Sequence, residues 1–210
     1  MGSVSLKHLA GGLVVAVALA VPKLMPAHAN QSLHHDHRQS WSYIKAPHDD
    51  PTALERRLGE LSSLVAGRSV QVRCEDFSDG SLQEPGGVVQ FSGSTPADFS
   101  RVRPDVCTAI LKFMRAPTTL RFDSAVALSV LAHEAFHLQG IKTEAVAECY
   151  AIQSVPRLAH ALGASPQQAA AMAIAVWKLQ YPTMPPQYRS PECRPGGSLD
   201  RRPGGGWPAY

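Results

Sequence analysis

The chain has 210 residues, of which 44% are hydrophobic and 18% are charged. That apolar content is sufficient for one modest domain with its own core, and no internal repeat divides the sequence. Lysine and arginine outnumber aspartate and glutamate by only three. This small excess argues against nucleic acid as the main partner.

Residues 1–29 have the pattern of a secretory signal peptide. Lys7 and His8 precede the thirteen-residue apolar run LAGGLVVAVALAV, and the small-residue stretch AHA follows at residues 27–29. A positive start, a short apolar run and small residues at a cut site are typical of cleaved signals. A helix that spans a bilayer needs roughly 20 apolar residues. We therefore expect a secreted or cell-surface protein cleaved near Ala29; the alternative is a membrane anchor formed by the retained segment.

Residues 30–50 are predicted to form a His-rich linker between the signal and the domain. They lack hydrophobic periodicity and contain HHDH at residues 34–37. Tracts of this kind can collect metal ions, although the composition favours a solvated segment without a core of its own.

Residues 51–195 are predicted to form one small domain built mainly of helices. The alternating stretches SVQVRC (69–74) and GVVQF (87–91) predict two short strands. Helical spacing of apolar residues, with Gly and Pro at the boundaries, predicts five helices over residues 51–67, 104–115, 123–139, 144–163 and 166–180. The expected fold class is α+β, mostly helical, with a minor two-strand element.

Residues 196–210 are rich in proline and glycine and cannot continue a helix. We expect a flexible tail here, with Cys193 fastening the preceding residues to the domain.

The four cysteines, Cys74, Cys107, Cys149 and Cys193, contain no CxxC pair. This spacing argues against a zinc knuckle. An even number in an exported chain predicts two disulfides, for which three pairings are open. We favour Cys74 with Cys107 and Cys149 with Cys193, because each pairing ties an irregular segment to a helix.

The motif HEAFH at residues 133–137 predicts a metal site. Residues four apart lie on the same face of a helix, so His133 and His137 point the same way and can bind one zinc ion. Glu134 is the next residue along the helix and can act on a water at the metal without being a ligand. The surrounding residues are apolar on almost every side of this helix, and burying these three groups unpaired would cost several kcal/mol.

A third ligand is expected from the next helix. Gly140 ends the HEAFH helix and allows the chain to reverse, so that Glu144 and Glu148 return past the metal on one face. We expect Glu144 to be the third ligand and Glu148 to accept a hydrogen bond from a ligand histidine. The reverse assignment, with Glu148 as the ligand, is the alternative.

The stretch HEAFH followed by EAVAE resembles the gluzincin type of zinc metallopeptidase, in which HExxH on one helix is completed by a glutamate from the next. The resemblance covers about 20 residues and implies His133, His137 and Glu144 as ligands of Zn²⁺ and Glu134 as the general base. The HExxHxxG portion also resembles metzincins, but Thr143 occupies the position of their third histidine. Exported actinobacterial HExxH proteins have a similar stretch.

The site predicts a secreted zinc-dependent metallopeptidase in which Glu134 activates a water for attack on a peptide bond. Tyr150, Tyr188, Arg189 and His160 are weak candidates for the donor that such a reaction needs at its oxyanion. Their ordinary roles are a core tyrosine, a surface cation or a histidine on a helix face.

Two other functions remain open from the sequence. In the first, the chain is a structural or interaction protein in which zinc only staples two helices. In the second, it hydrolyses a non-peptide amide of the cell wall. Glu134 favours catalysis because a structural zinc site has no need for an acid beside its first histidine. The expected partner is a peptide or protein substrate whose identity the sequence does not give.

Overall fold

The computed structural model describes residues 50–77 and 86–208. The predicted signal peptide and nearly all of the His-rich linker lie outside the described residues. Within them, five α-helices and two small sheets agree with the predicted α+β class. The helices are α1 (Ala53–Ala66), α2 (Pro104–Arg115), α3 (Phe122–Leu138), α4 (Glu144–Ala161) and α5 (Pro166–Ala175). A π-helical turn, Val176–Gln180, continues α5 and completes the predicted last helix.

Local sequence signals fix several helix ends. The Thr52 hydroxyl accepts from the Glu55 N–H at 3.2 Å, and the Glu55 carboxylate accepts from the Thr52 N–H at 2.7 Å. This capping box starts α1, and Gly67, at φ 71°, ends it in the left-handed conformation that glycine adopts without strain. Ser165 and Gln168 form the same reciprocal cap at the start of α5.

The strands are more numerous than predicted. They are β1 (Gln71–Cys74), β2 (Gly87–Val88), β3 (Phe91–Ser92), β4 (Thr95–Pro96) and β5 (Phe99–Val102). The central strand β5 pairs in parallel with β1 and antiparallel with β2, while β3 and β4 form a separate two-stranded sheet.

The prediction missed β5 and merged β2 with β3 into one strand. The sequence of β5 lacks apolar alternation because two of its buried residues, Ser100 and Arg101, are polar. Arg101 is stabilised there by an ion pair with Glu75 at 3.1 Å. Tertiary partners, rather than local pattern, therefore define this strand.

Helix α3 lies at the centre of the core and packs against α1, α2 and α4. Leu128, Leu131 and Phe136 are fully buried, and each such side chain contributes about 1.5–3 kcal/mol through removal of apolar surface from water. A helix that is apolar on nearly all sides must be surrounded by other elements. Any polar group on α3 is consequently held in a defined place.

Two disulfides join Cys74 to Cys107 and Cys149 to Cys193, which confirms the favoured pairing. They close loops with sequence separations of 33 and 44 residues. Disulfides of this kind typically stabilise a fold by about 2–4 kcal/mol and persist in oxidising compartments. None of the described helices has the length and apolar character needed to cross a bilayer.

Residues 196–208 pack against the domain, although their composition favours a loose tail. Leu199 and Trp207 lie against the main core, and the Trp207 ring meets Trp177 at 5.8 Å between centroids. Asp200 is buried and accepts from the Gly196 N–H at 2.8 Å. Apolar anchors spaced along the segment hold it, so its high proline and glycine content does not prevent packing.

Candidate metal centre

The end of α3 and the start of α4 form the centre. His133 and His137 lie one turn apart near the end of α3, and both are buried. Gly140, at φ 104°, reverses the chain directly after α3 in a conformation that favours glycine. Because α4 begins at Glu144, its first turn returns beside the two histidines. The predicted spacing therefore brings the residues together.

Three side-chain atoms converge between the helices. The Nε2 atoms of His133 and His137 are 2.9 Å apart. Glu144 Oε2 lies 2.9 Å from His133 Nε2 and 3.3 Å from His137 Nε2. These three residues form a group within metal-binding distance. The described part of the chain thus holds a His-His-Glu group that could bind a metal ion.

The outer nitrogens of both rings have acceptors of their own. His133 Nδ1 lies 2.9 Å from Glu148 Oε2, and His137 Nδ1 lies 2.6 Å from the Ile141 carbonyl oxygen. A carbonyl oxygen can only accept, so His137 must carry its proton on Nδ1, and the Glu148 carboxylate favours the same tautomer for His133. In the neutral form of each ring the Nε2 atom then directs a lone pair toward Glu144, and in the protonated form it donates to the Glu144 carboxylate instead.

This arrangement fits a small cation. Two nitrogen lone pairs and a carboxylate oxygen repel one another unless a proton or a metal ion lies between them. Ligands about 2.1 Å from zinc at tetrahedral angles are about 3.4 Å apart, close to the three observed separations of 2.9, 2.9 and 3.3 Å. Glu144 belongs to the converging group, whereas Glu148 contacts only the outer nitrogen of His133, as the favoured assignment expects.

Without a metal ion, the protonation of the histidines and the charge of the glutamates at the centre depend on one another. Burial disfavours protonated His133, but its hydrogen bonds to Glu144 and Glu148 outweigh burial and raise its pKa to about 10. Burial likewise acts to raise the pKa of Glu144, yet the hydrogen bonds from His133 and His137 lower it to about 2. The cluster therefore favours a positive charge between its atoms.

Glu134 lies beside the cluster without joining it. Its side chain is buried, and among the described residues no donor is within hydrogen-bonding distance of Oε2. Burial raises the pKa of Glu134 to about 7, against the opposing effect of the two neighbouring histidines. A buried carboxylate with a free acceptor atom and a pKa near neutrality has the properties of a general base.

The backbone of β2 confines Glu134 from the other side. A Cβ atom at Gly87 would lie 2.5 Å from Glu134 Cγ and 2.7 Å from Oε1. Only glycine permits this close approach, so the strand fixes where the carboxylate can lie. No sequence signal singled out Gly87, because the contact joins elements 47 positions apart in the chain.

The structure places the four weak candidates for the oxyanion donor in different surroundings. The Tyr188 ring lies 5.7 Å from the His133 ring, centroid to centroid. Tyr150 instead packs on Phe136 in the core. His160 lies at the end of α4, with its Nδ1 3.0 Å from the Ala164 carbonyl oxygen. Arg189 donates to the Pro182 carbonyl oxygen. Of these four, Tyr188 is the one that the fold places next to a predicted ligand. Cys149 is in a disulfide and so is not a metal ligand.

A groove of about 700 Å³ lies along the segment that follows α5. One of its walls is Tyr181, whose pKa is raised first by burial and also by the nearby charge of Glu148. The groove is largely apolar, with two cationic side chains at its edge. Its lining includes Trp177, Lys178, Tyr181, Pro186, Arg189 and Pro191.

No protein-family model matches the chain, and comparisons with curated proteins and with solved structures also give no match. The resemblance to gluzincins consequently rests on the His133, His137 and Glu144 group alone.

Proposed function

We propose that the protein is an exported zinc-dependent metallopeptidase. The observation that carries this proposal is Glu134, a buried carboxylate with an unpartnered Oε2 and a pKa raised to about 7 beside a His-His-Glu group. Burying such a group lowers stability, and the two neighbouring histidines offset that cost only in part, since the pKa of Glu134 is still raised. Catalysis gives the residue a role.

His133, His137 and Glu144 would hold the zinc ion, with Glu148 and the Ile141 carbonyl orienting the two rings. When bound, zinc supplies Lewis acidity toward a carbonyl and lowers the pKa of a coordinated water. Glu134 Oε2 would accept the proton from the attacking water and later deliver it to the leaving amine. Gly87 lies against the other carboxylate oxygen, Oε1, and so limits where the Glu134 side chain can lie.

The accessibility of the centre supports a catalytic role over a structural one. Structural zinc sites are closed by four protein ligands, whereas catalytic sites have three and leave a position for water or substrate. Here three ligand atoms converge, and the Glu144 side chain is 37% exposed.

Metal analysis combined with a cleavage screen tests the proposal. Purified residues 30–210 should contain one zinc ion per chain and cleave members of a mixed peptide library. Glu134→Gln should keep the zinc and lose the cleavage, while Arg115→Gln, an exposed change on α2, should keep both. Activity that survives Glu134→Gln would contradict the mechanism. Zinc without cleavage of peptides or cell-wall amides would favour the staple function.

A further inference from the structure

Each of the two histidines at the metal centre has another aromatic ring beside it. Phe91 of β3 meets His137 edge-on, with 6.3 Å between the ring centroids and an angle of 88° between the planes. Tyr188 lies beside His133, with 5.7 Å between the centroids and 44° between the planes. The two histidine rings are themselves 4.6 Å apart. All three separations lie in the range of aromatic contacts, so the four rings form a chain that begins at Phe91 and ends at Tyr188.

The Phe91 ring is held in place by contacts of its hairpin, β3 and β4, with the end of α3 and the loop that follows. The Lys142 ammonium lies 5.3 Å from the centroid of the ring and donates to the Gly93 carbonyl oxygen at 2.6 Å. At the other end of the hairpin, Arg68 donates to the Ala97 carbonyl oxygen at 2.7 Å and to the carbonyl oxygen of the last residue of α3 at 3.1 Å. The hairpin therefore keeps Phe91 beside the end of α3, where the predicted ligands lie.

The Tyr188 ring comes from the proline-rich segment that follows α5. The disulfide between Cys193 and Cys149 joins this segment to α4. Within the segment, the Tyr181 hydroxyl accepts from the Ser190 N–H at 2.8 Å and donates to the carbonyl oxygen of the same residue at 3.2 Å. Because Tyr188 lies between these fixed points in the chain, its ring has a defined position at the metal centre.

Water reaches the metal centre from the side of Glu144. The side chain of this residue is 37% exposed, whereas those of His133 and His137 are less than a tenth exposed. Phe91 and Tyr188 are half-buried, so each keeps some surface in contact with water next to a predicted ligand. Covering such surface with an apolar group is favourable in proportion to the area removed from water. A ligand held at the centre therefore gains affinity from an apolar group that lies against either ring.

We propose that Phe91 and Tyr188 determine the specificity of the metal centre, and that each binds an apolar side chain on one side of the group held at the metal. This inference rests on the proposed peptidase function. It adds that the substrate carries apolar residues on both sides of the scissile bond, one against each ring. The contact is made by the ring surface, so the hydroxyl of Tyr188 is not required. Neither residue belongs to the His-His-Glu group.

Calorimetric titration of the zinc-loaded Glu134→Gln protein with three hydroxamates tests this inference without turnover. Acetohydroxamate chelates zinc and is the parent compound. Hydrocinnamohydroxamate adds a benzyl group on its carbonyl side, and N-benzylacetohydroxamate adds one on its nitrogen side. Each benzyl compound should bind about tenfold more tightly than the parent, because contact with one of the two rings removes part of the benzyl surface from water.

Substitutions in the same protein assign each contact to its ring. Phe91→Ala should remove the advantage of one benzyl compound and Tyr188→Ala that of the other, while the affinity for acetohydroxamate stays unchanged. Tyr188→Phe keeps the ring and should keep both advantages, and Phe91→Leu, which disturbs the packing less than alanine, should reduce one advantage without removing it. Phe122→Ala, at the exposed start of α3, is the matched control and should keep both. Melting temperature and zinc content check that each variant is folded and loaded.

Several results would overturn the inference. If either benzyl compound fails to bind more tightly than acetohydroxamate, the two-sided arrangement is wrong. If Phe91→Ala or Tyr188→Ala weakens all three compounds equally, that ring only supports its histidine. Peptides that are cut equally fast with serine or with leucine on both sides of the scissile bond would contradict the inference alone. Benzyl advantages in a protein whose unsubstituted form cuts no peptide would instead contradict the peptidase function alone.

Discussion

The two ends of α4 present opposite chemistry to their surroundings. Near its start, Glu144 and Glu148 face the rings of His133 and His137, and the groups that converge are acceptors. Near its end, an arginine-lined cavity of about 170 Å³ brings together Arg157, Arg201 and Arg202, three exposed side chains whose N–H groups can only donate. One helix thus carries a His-His-Glu group that could bind a metal ion and, about 14 Å further along, borders a cavity lined by arginines.

The difference shows how the direction of lone pairs and N–H groups decides which partners a cluster of side chains can pair with. At the first end, the Ile141 carbonyl oxygen accepts from His137 Nδ1 and the Glu148 carboxylate accepts from His133 Nδ1. These hydrogen bonds fix the tautomers, so that the lone pair of each neutral ring is on Nε2 and faces the other ligands. At the other end, arginine has no lone pair to offer at any tautomer, so only an acceptor-rich ligand can pair with it.

Removal of a ligand should have the largest effect. His137→Ala and Glu144→Ala each take one of the three converging atoms, so neither should retain zinc at one ion per chain after dialysis. The melting temperature should fall with the metal, because metal binding contributes to folding free energy. Metal analysis by mass spectrometry and thermal unfolding check both results. Arg115→Gln is the control and should keep its zinc.

Removal of the base should have the next largest effect. Glu134→Gln keeps the size of the side chain but cannot accept a proton, so hydrolysis of any confirmed substrate should fall by about 10²–10⁴-fold. Zinc content should stay at the wild-type level because Glu134 is outside the converging group. Steady-state kinetics with parallel metal analysis make the test. A variant that loses zinc as well would place Glu134 among the ligands instead.

Displacement of the base should have a smaller effect than its removal. In Gly87→Ala the added methyl would stand 2.5 Å from Glu134 Cγ, so the carboxylate or β2 must shift. A misplacement of about 1 Å can reduce a rate by about 10²-fold. We expect kcat/KM to fall by up to that factor with zinc retained. Unchanged kinetics would show that β2 does not position Glu134.

Loss of the ring-orienting carboxylate should weaken the metal site without abolishing it. Glu148→Ala leaves all three converging atoms and removes only the acceptor at His133 Nδ1. Zinc affinity, measured by competition with a chelator, should fall by about 10–100-fold. If Glu148→Ala strips the metal and Glu144→Ala does not, the two glutamates have the reverse roles.

Competition between protons and zinc should give the smallest of these effects when the change in zinc affinity is counted per pH unit. In the metal-free protein the hydrogen bonds of His133 raise its pKa to about 10, despite burial, so a bound zinc ion must displace a proton at neutral pH. Zinc affinity should therefore fall about tenfold per pH unit for each proton displaced, as the pH decreases from about 9 to about 6.

The same shift has a consequence for stability without metal. A group whose pKa is raised on folding stabilises the fold fully below its unfolded pKa, so the contribution of His133 should be lost as the pH rises from 6.5 toward about 10. Thermal unfolding of chelated protein across this range checks the sign. A zinc affinity that does not depend on pH would show that His133 is already deprotonated in the metal-free protein.

The sequence by itself determined the helices and the group formed by His133, His137 and Glu144, which could bind a metal ion. The spacing of His133 and His137 places both rings on one face because the helical repeat is local, and Gly140 predicts the reversal that brings α4 back. Capping signals at Thr52 and Ser165 are equally local, since each involves a residue three positions further along. Such features require no knowledge of the rest of the fold.

Only the tertiary structure decided the features that join distant segments. The strand β5, the close approach of Gly87 to Glu134 and the arginine-lined cavity each depend on elements that are far apart in the chain. Arg157 and Arg201 carry no local pattern that would bring them together, because their meeting depends on how the segment 199–202 packs on α4. Glu144 and Glu148 lie on the same helix face, and the packing of α4 on α3 brings Glu144 to the Nε2 atoms and Glu148 to His133 Nδ1, which favours Glu144 as the third ligand.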